Sequence, residues 1–386
     1  MKRLVLCLAI AATTLAPIAS TVDAQDRGGR FPRKYLFSLI GAAVGTAVGG
    51  SYIAFQGQSQ PGNCGEPSCV VTVTVVAGAL IGYMIGREFD ELHALRYRGG
   101  APLNPQSIAA GLAGDPTLLT VEDDLIAIGG TAGVQLFRST PNALRADGRR
   151  AGGVRGIAAL DLAQPGALAL GSVTGLYLFP PREGPGMLVR PGEIGATVTT
   201  VDRVFIGSGS RVESAPLSAD TARTWPGVDV GAQVRDLEVD LARNIVWAIT
   251  DSALVALRIA GDSLESLSRT PFESRARALA IEGSRIAVAF GEQGVRMYDA
   301  ANPEAPRQSA AWEGARFAYD VSLAGMRMFV AAGPEGLYVL DVSVEPVVIG
   351  LARELGFAAA VSSFGQFTYI LDRSTNSVRR IESEFQ

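Results

Sequence analysis

Seven times between Leu125 and Ile381 the chain repeats one short figure, an apolar run, a turn and a second apolar run. The clearest copies are FVAAGPEGLYVLDVSV (Phe329–Val344) and IAVAFGEQGVRMYDAANP (Ile286–Pro303). LIAIGGTAGVQLF (Leu125–Phe137) and ALALGSVTGLYLF (Ala167–Phe179) are weaker versions. VFIGSGSRVESA (Val204–Ala215), VWAITDSALVAL (Val246–Leu257) and TYILDRSTNSVRRI (Thr368–Ile381) keep the shape with the glycine pattern lost. The residue just before the second apolar run is Gly133, Gly175, Arg211, Ala253, Gly294, Gly336 and Ser377, at intervals of 42, 36, 42, 41, 42 and 41. A period near 40 without helical periodicity predicts blades of four short antiparallel strands. Seven units fill residues 107–386, so the expected fold is all-β, a seven-bladed β-propeller.

Within a unit, a leading strand such as Ala278–Ile281 or Val321–Leu323 is expected nearest the central channel, with the hairpin strands outside it. The last unit ends soon after its third strand. The stretch Ser107–Leu112 is therefore expected to supply the missing outer strand and close the ring, which removes two open sheet edges.

The two best units, Ala318–Pro346 and Ala278–Pro306, resemble the LVIVD-type propeller repeat of bacterial and archaeal surface proteins. The matching residues are Gly333, Gly336 and Asp341 in one, and Gly291, Gly294, Asp299 and Pro303 in the other. The other five units depart from the pattern, Val204–Ala215 most of all. The resemblance implies the propeller fold and an extracytoplasmic location, and brings no catalytic residues with it.

The first hundred residues have a different character. Residues 1–24 read as a secretory signal: Lys2 and Arg3, an apolar Leu4–Leu15, then Val22-Asp23-Ala24 as a small-residue cleavage site. Residues 25–98 are expected to form a helical hairpin, and residues 99–106 (GGAPLNPQ) a linker. From Tyr35 to Gly86 there is one charge, Glu66, in 52 residues. The apolar stretches 36–55 and 70–86 each carry a glycine ladder, Gly41, Gly45 and Gly49 in the first and Gly78, Gly82 and Gly86 in the second. That spacing puts the glycines on one helix face, where two backbones approach closely. A soluble hairpin needs charges on its outer face, so a membrane-inserted one fits better. The segment resembles the glycine-zipper hairpins of bacterial envelope proteins, which implies contact with membrane lipid.

Arginines flank the hairpin on both sides, and Cys64 and Cys69 bracket its tip. Insertion into the inner membrane would leave the cysteines in a reducing compartment and break the positive-inside tendency. The outer membrane is therefore favoured, with the propeller in the periplasm. There a Cys64–Cys69 disulfide is favoured over two free thiols.

Composition narrows the chemistry further. Net charge is −4, which gives no basic field for nucleic acid. The only histidine is His93, and no lysine or cysteine follows it. A Ser-His-Asp arrangement, a histidine-held metal and Schiff-base chemistry are thus excluded from the propeller. Carboxylates and arginine remain. Asp236, Glu238 and Asp240 fall on one strand face by period two, either a cation site or a solvated face. Arg235, Arg277 and Asp320 are expected at the channel mouth. Met187 and Leu188 lie in PPREGPGMLVRPGEIG (Pro180–Gly195), expected as an irregular loop that either links blades or docks a partner.

The chain is thus expected to be a membrane-anchored scaffold or accessory subunit with a protein partner on the propeller, no cofactor and no nucleic acid. The alternatives are a carboxylate- or metal-dependent hydrolase or lactonase in the channel, and a glycine-zipper oligomer that forms a pore or stabilises the membrane.

Overall fold

A computed structural model describes residues 100–383, apart from 141–142, 151–153, 164–165, 182–183 and 219–224. The segments expected as a signal and as a hairpin, with the six ladder glycines and with Cys64 and Cys69, lie outside the described residues. Among the described residues no helix is long and apolar enough to cross a membrane.

Seven β-sheets follow one another along the chain, and within blades 1 to 6 consecutive strands are neighbours. The blades span residues 116–150, 157–191, 196–229, 234–271, 278–312, 320–352 and 358–382. Third strands begin at Gly133, Gly175, Arg211, Ala253 and Ser377, and Gly294 and Gly336 stand one residue ahead of theirs, as the repeat spacing required. The N-terminal strand Gln106–Ala109 pairs antiparallel with Ser377–Glu382 and completes blade 7. Just before it, Ala101–Pro102 runs parallel to Val347–Ala352 of blade 6, a fifth strand absent from the sequence expectation. One short strap therefore ties the outer edges of the last two blades.

The strand order explains the apolar patterns. A second strand such as Ile245–Thr250 has a blade on each side and is buried at every position. It reads as an unbroken apolar run, whereas the outer strand Ser263–Pro271 is largely polar and half exposed. The buried side chains form seven clusters, each shared by two adjacent blades. Trp247 of blade 4 packs with Ile286 and Val288 of blade 5. Trp312 of blade 5 meets Tyr338 of blade 6 with ring centroids 5.0 Å apart. Flat faces stacked around a ring leave no single centre, so the core is distributed.

Gly-x-x-Gly turns are docking points between blades. Gly333 exchanges both backbone hydrogen bonds with Ala358 of the next blade, at 3.0 and 2.9 Å, and the Gly291 carbonyl accepts the Ala318 N–H at 2.9 Å. The second glycine has no room for a side chain, since a Cβ at Gly336 would lie 1.9 Å from the Ala352 carbonyl oxygen.

The segment expected as an irregular loop is corrected in part. Met187–Pro191 is the outer strand of blade 2, paired with Gly175–Phe179. Val189 is buried there, while Met187 is exposed. Glycine and proline on both sides mark the ends of a short edge strand and hide it from a compositional reading.

Candidate functional site

The first strands of all seven blades line a central channel of about 390 Å³. Each first strand begins where the second ends. The turns between second and third strands therefore share one face, here the upper face, with the segments leading into the first strands. The turns between first and second strands lie on the lower face.

Carboxylates stitch the channel wall together. Asp236 Oδ1 accepts the N–H of Leu237 next to it, and its Oδ2 accepts the N–H of Leu279 in blade 5, both at 2.9 Å. Asp320 repeats this, with Val321 on Oδ1 and Val361 of blade 7 on Oδ2, again at 2.9 Å. Asp161 of blade 2 accepts the N–H and the hydroxyl of Thr199 of blade 3 at 2.6 and 2.7 Å, and the Thr120 hydroxyl of blade 1 at 3.3 Å. Blades 2, 4 and 6 thus each hold the blade that follows. Burial, the leading cause, raises Asp161 to about 6, Asp236 to about 7 and Asp320 to about 6, against the hydrogen bonds that favour their charged forms.

Glu238 differs. Its carboxyl accepts no hydrogen bond among the described residues, and burial followed by the charges of Asp236, Asp161 and Asp320 pushes it well above the usual carboxyl range. Asp240 leaves this set and pairs with Arg243. Among the described residues no three acidic, thiol or imidazole side chains are arranged to hold a metal ion. The period-two placement of Asp236 and Glu238 is real, but Asp236 serves the contact between blades.

The upper mouth carries the other predicted residues. Arg235 donates to both oxygens of Asp251 at 2.7 and 3.0 Å, and Arg275 shares that carboxylate at 2.8 Å. Arg277 is exposed and forms no ion pair among the described residues. Its guanidinium lies 4.8 Å above the Phe317 ring. Phe317 packs on Tyr319 with centroids 4.5 Å apart, and Tyr319 on Phe357 at 5.1 Å. This ladder, one cation and three rings, crosses blades 5, 6 and 7.

Glycines seat the rings. A Cβ at Gly291 would come within 3.0 Å of Phe317, and one at Gly333 within 2.5 Å of Tyr319. The signal for the rings was therefore in the repeat: the first glycine of each clear Gly-x-x-Gly turn is a platform, and Phe317 and Phe357 stand one period apart. Sequence reasoning aligned the units on their turns and missed both.

Of the residues singled out from sequence, Asp320 lines the channel, while Arg235 and Arg277 stand at the start of the first strands of blades 4 and 5 and do not line it. Met187 and Leu188 sit on the outer strand of blade 2 and do not join them.

No protein-family model matches the sequence, and no curated protein matches it. Solved structures do resemble the fold. The WD40 β-propeller domain of Doa1 is similar at a TM-score of 0.55 and 14% identity, over 72% of this chain and 97% of that one. U3-55K is similar at 0.60 and 12%, over 72% and 100%. A chain of the mitotic checkpoint complex reaches 0.57 and 10%, over 73% and 94%. At such identities the likeness establishes the seven-bladed propeller and nothing finer.

Proposed function

We propose that this chain is a protein-interaction scaffold whose upper face docks a protein partner across blades 5 to 7. The supporting observation is the Arg277–Phe317–Tyr319–Phe357 ladder. Aromatic rings and arginine are the residues in which binding energy concentrates at protein interfaces. Here they stand together, half open to solvent, on a rigid frame. A similar propeller belongs to a mitotic checkpoint complex, and membership of a complex is the setting this reading gives to the present chain.

The anchoring belongs to the same proposal. The hairpin, with its apolar stretches 36–55 and 70–86 and their ladders Gly41–Gly49 and Gly78–Gly86, would hold the propeller at an envelope membrane, the outer membrane favoured, facing the periplasm. Met187 on blade 2 would then be a secondary contact. Extraction of the native chain in mild detergent, followed by mass spectrometry, tests this reading. A stoichiometric partner is expected, and Phe317→Ala with Tyr319→Ala is expected to remove it. A chain that emerges alone, or a partner indifferent to both substitutions, overturns it.

A carboxylate-based hydrolase is the second reading. It is favoured by Asp161, Asp236 and Asp320, whose raised values approach the range of acid–base catalysts. Against it, both oxygens of Asp236 and of Asp320 are already engaged with backbone N–H groups.

A further inference from the structure

The lower face has a composition that neither the repeat nor the ladder explains. Val201, Leu241, Met326 and Phe364 stand at the turns between first and second strands of blades 3, 4, 6 and 7, with 67, 56, 58 and 36% of their surface exposed. They are half of the eight large apolar residues exposed among the described residues. Single exposed apolar side chains are ordinary, whereas their concentration on the turns of one face, two of them lining the channel, marks a contact surface.

Behind these turns the channel is acidic. Leu241 and Phe364 line it together with Glu122, Glu238 and Glu282. The neighbouring arginines are engaged with the protein itself. Arg243 pairs with Asp240 and donates to the carbonyls of Gly283 and Ala300, and Arg285 donates to the Gly325 carbonyl. Further in, Thr197 is 7% exposed on the channel wall, and its hydroxyl has no hydrogen-bond partner.

We propose that the lower mouth of the channel is a second docking site, which takes a protein segment that inserts a lysine or arginine side chain flanked by apolar residues. The apolar residues of the turns would cover the flanks, and Glu238 on the channel wall would receive the cation, with Glu122 and Glu282 lining the same channel. Burial and the charges of Asp236, Asp161 and Asp320 disfavour the charged form of Glu238, and an entering ammonium or guanidinium supplies the opposite charge that the carboxylate lacks. Charge complementarity selects this occupant. A second copy would bring two acidic mouths face to face, and an anionic lipid surface would be repelled. The inference extends the scaffold reading to a new surface and does not use the aromatic ladder.

The test is panning of a phage-displayed random dodecapeptide library on the purified full chain in detergent. Enriched peptides are expected to carry lysine or arginine beside leucine, isoleucine, methionine or phenylalanine. A synthetic copy of the leading peptide should lose affinity about tenfold or more, roughly 1.4 kcal/mol, to Glu238→Gln, and similarly to Leu241→Ser with Met326→Ser. Phe317→Ala should leave it unchanged. Glu238→Gln breaks no hydrogen bond within the described residues, and the turn variants alter exposed positions, so neither is expected to lower the melting temperature. Absence of enrichment, enrichment of peptides without a basic residue, or affinity indifferent to Glu238 overturns the proposal. Binding of phosphatidylcholine–phosphatidylglycerol vesicles that depends on Leu241 but not on Glu238 also overturns it, in favour of a lipid contact. If panning fails while a co-purifying partner still depends on Phe317, the scaffold reading stands and only this inference falls.

Discussion

Asp236 reaches out of its own blade to hold the next one: its Oδ2 accepts the backbone N–H of Leu279, 43 residues later, at 2.9 Å. Asp320 binds Val361 in the same way across 41 residues. These contacts give a ring of stacked sheets a specific alignment that apolar packing alone leaves loose, since flat apolar faces slide at little cost whereas a buried carboxyl acceptor and its backbone donor do not.

Asp236→Ala is expected to destabilise the propeller by about 1–3 kcal/mol, the usual cost of stranding a buried donor. Two N–H groups lose their acceptor, and the channel solvates them only in part. Urea unfolding of the variant beside the parent checks this. An unchanged midpoint would mean that water replaces the carboxylate without loss.

Stability should fall as the pH rises from about 4 to about 7. Asp161, Asp236 and Asp320 titrate at about 6, 7 and 6 in the folded chain, above the value of about 3.9 for an unfolded aspartate. The folded state therefore binds these protons more tightly. Their contribution is complete below about pH 4 and is lost as each ionises. Asp372 acts in the opposite direction. Burial pushes it up, but hydrogen bonds from Ser374, Thr375 and the N–H groups of Phe357 and Gly356 prevail and hold it low, so its contribution is lost on acidification. Melting temperatures across this range should slope downwards in the parent and less steeply in Asp236→Asn. Parallel slopes would refute the assignment.

Closure of the ring gives a third test. Ile108 is buried between the last blade and the first, in the strand that completes blade 7. Ile108→Asp places a charge there and should cost about 3 kcal/mol or more. It also frees the edge Ser377–Glu382, so self-association is expected on size-exclusion chromatography, as for any unpaired strand. A monomer with parental stability would show that the strap is dispensable.

Two glycines separate backbone strain from steric fit. Gly325 has φ of 56° and open space where a Cβ would stand, while Gly336 has φ of 87° and a carbonyl oxygen in that place. Gly325→Ala should cost about 1 kcal/mol, the left-handed strain alone. Gly336→Ala should cost clearly more, about 3 kcal/mol or above, because the Ala352 backbone must shift. Paired unfolding curves decide it, and equal losses would contradict the steric account.

The repeat alone determined the number of blades, where their third strands begin, and the use of Ser107 and its neighbours to close the ring. These follow from local rules, because alternation and turn chemistry act over a few residues and can be read along the chain. Asp123 stands in the two-residue turn between the first two strands of blade 1 with the left-handed φ of 56° that such a tight turn uses. The hidden strand Met187–Pro191 was lost because its partner strand, rather than its composition, makes it a strand.

Tertiary structure alone decided which residues meet across blades. Nothing in VRDLEVD says that Asp236 binds the next blade while Glu238 is left without a hydrogen bond. Nothing in ARFAYD says that Phe317 lies beneath Arg277. Those outcomes depend on the stagger of two sheets about forty residues apart in the chain, and that stagger is set by how all seven apolar faces pack at once around the ring.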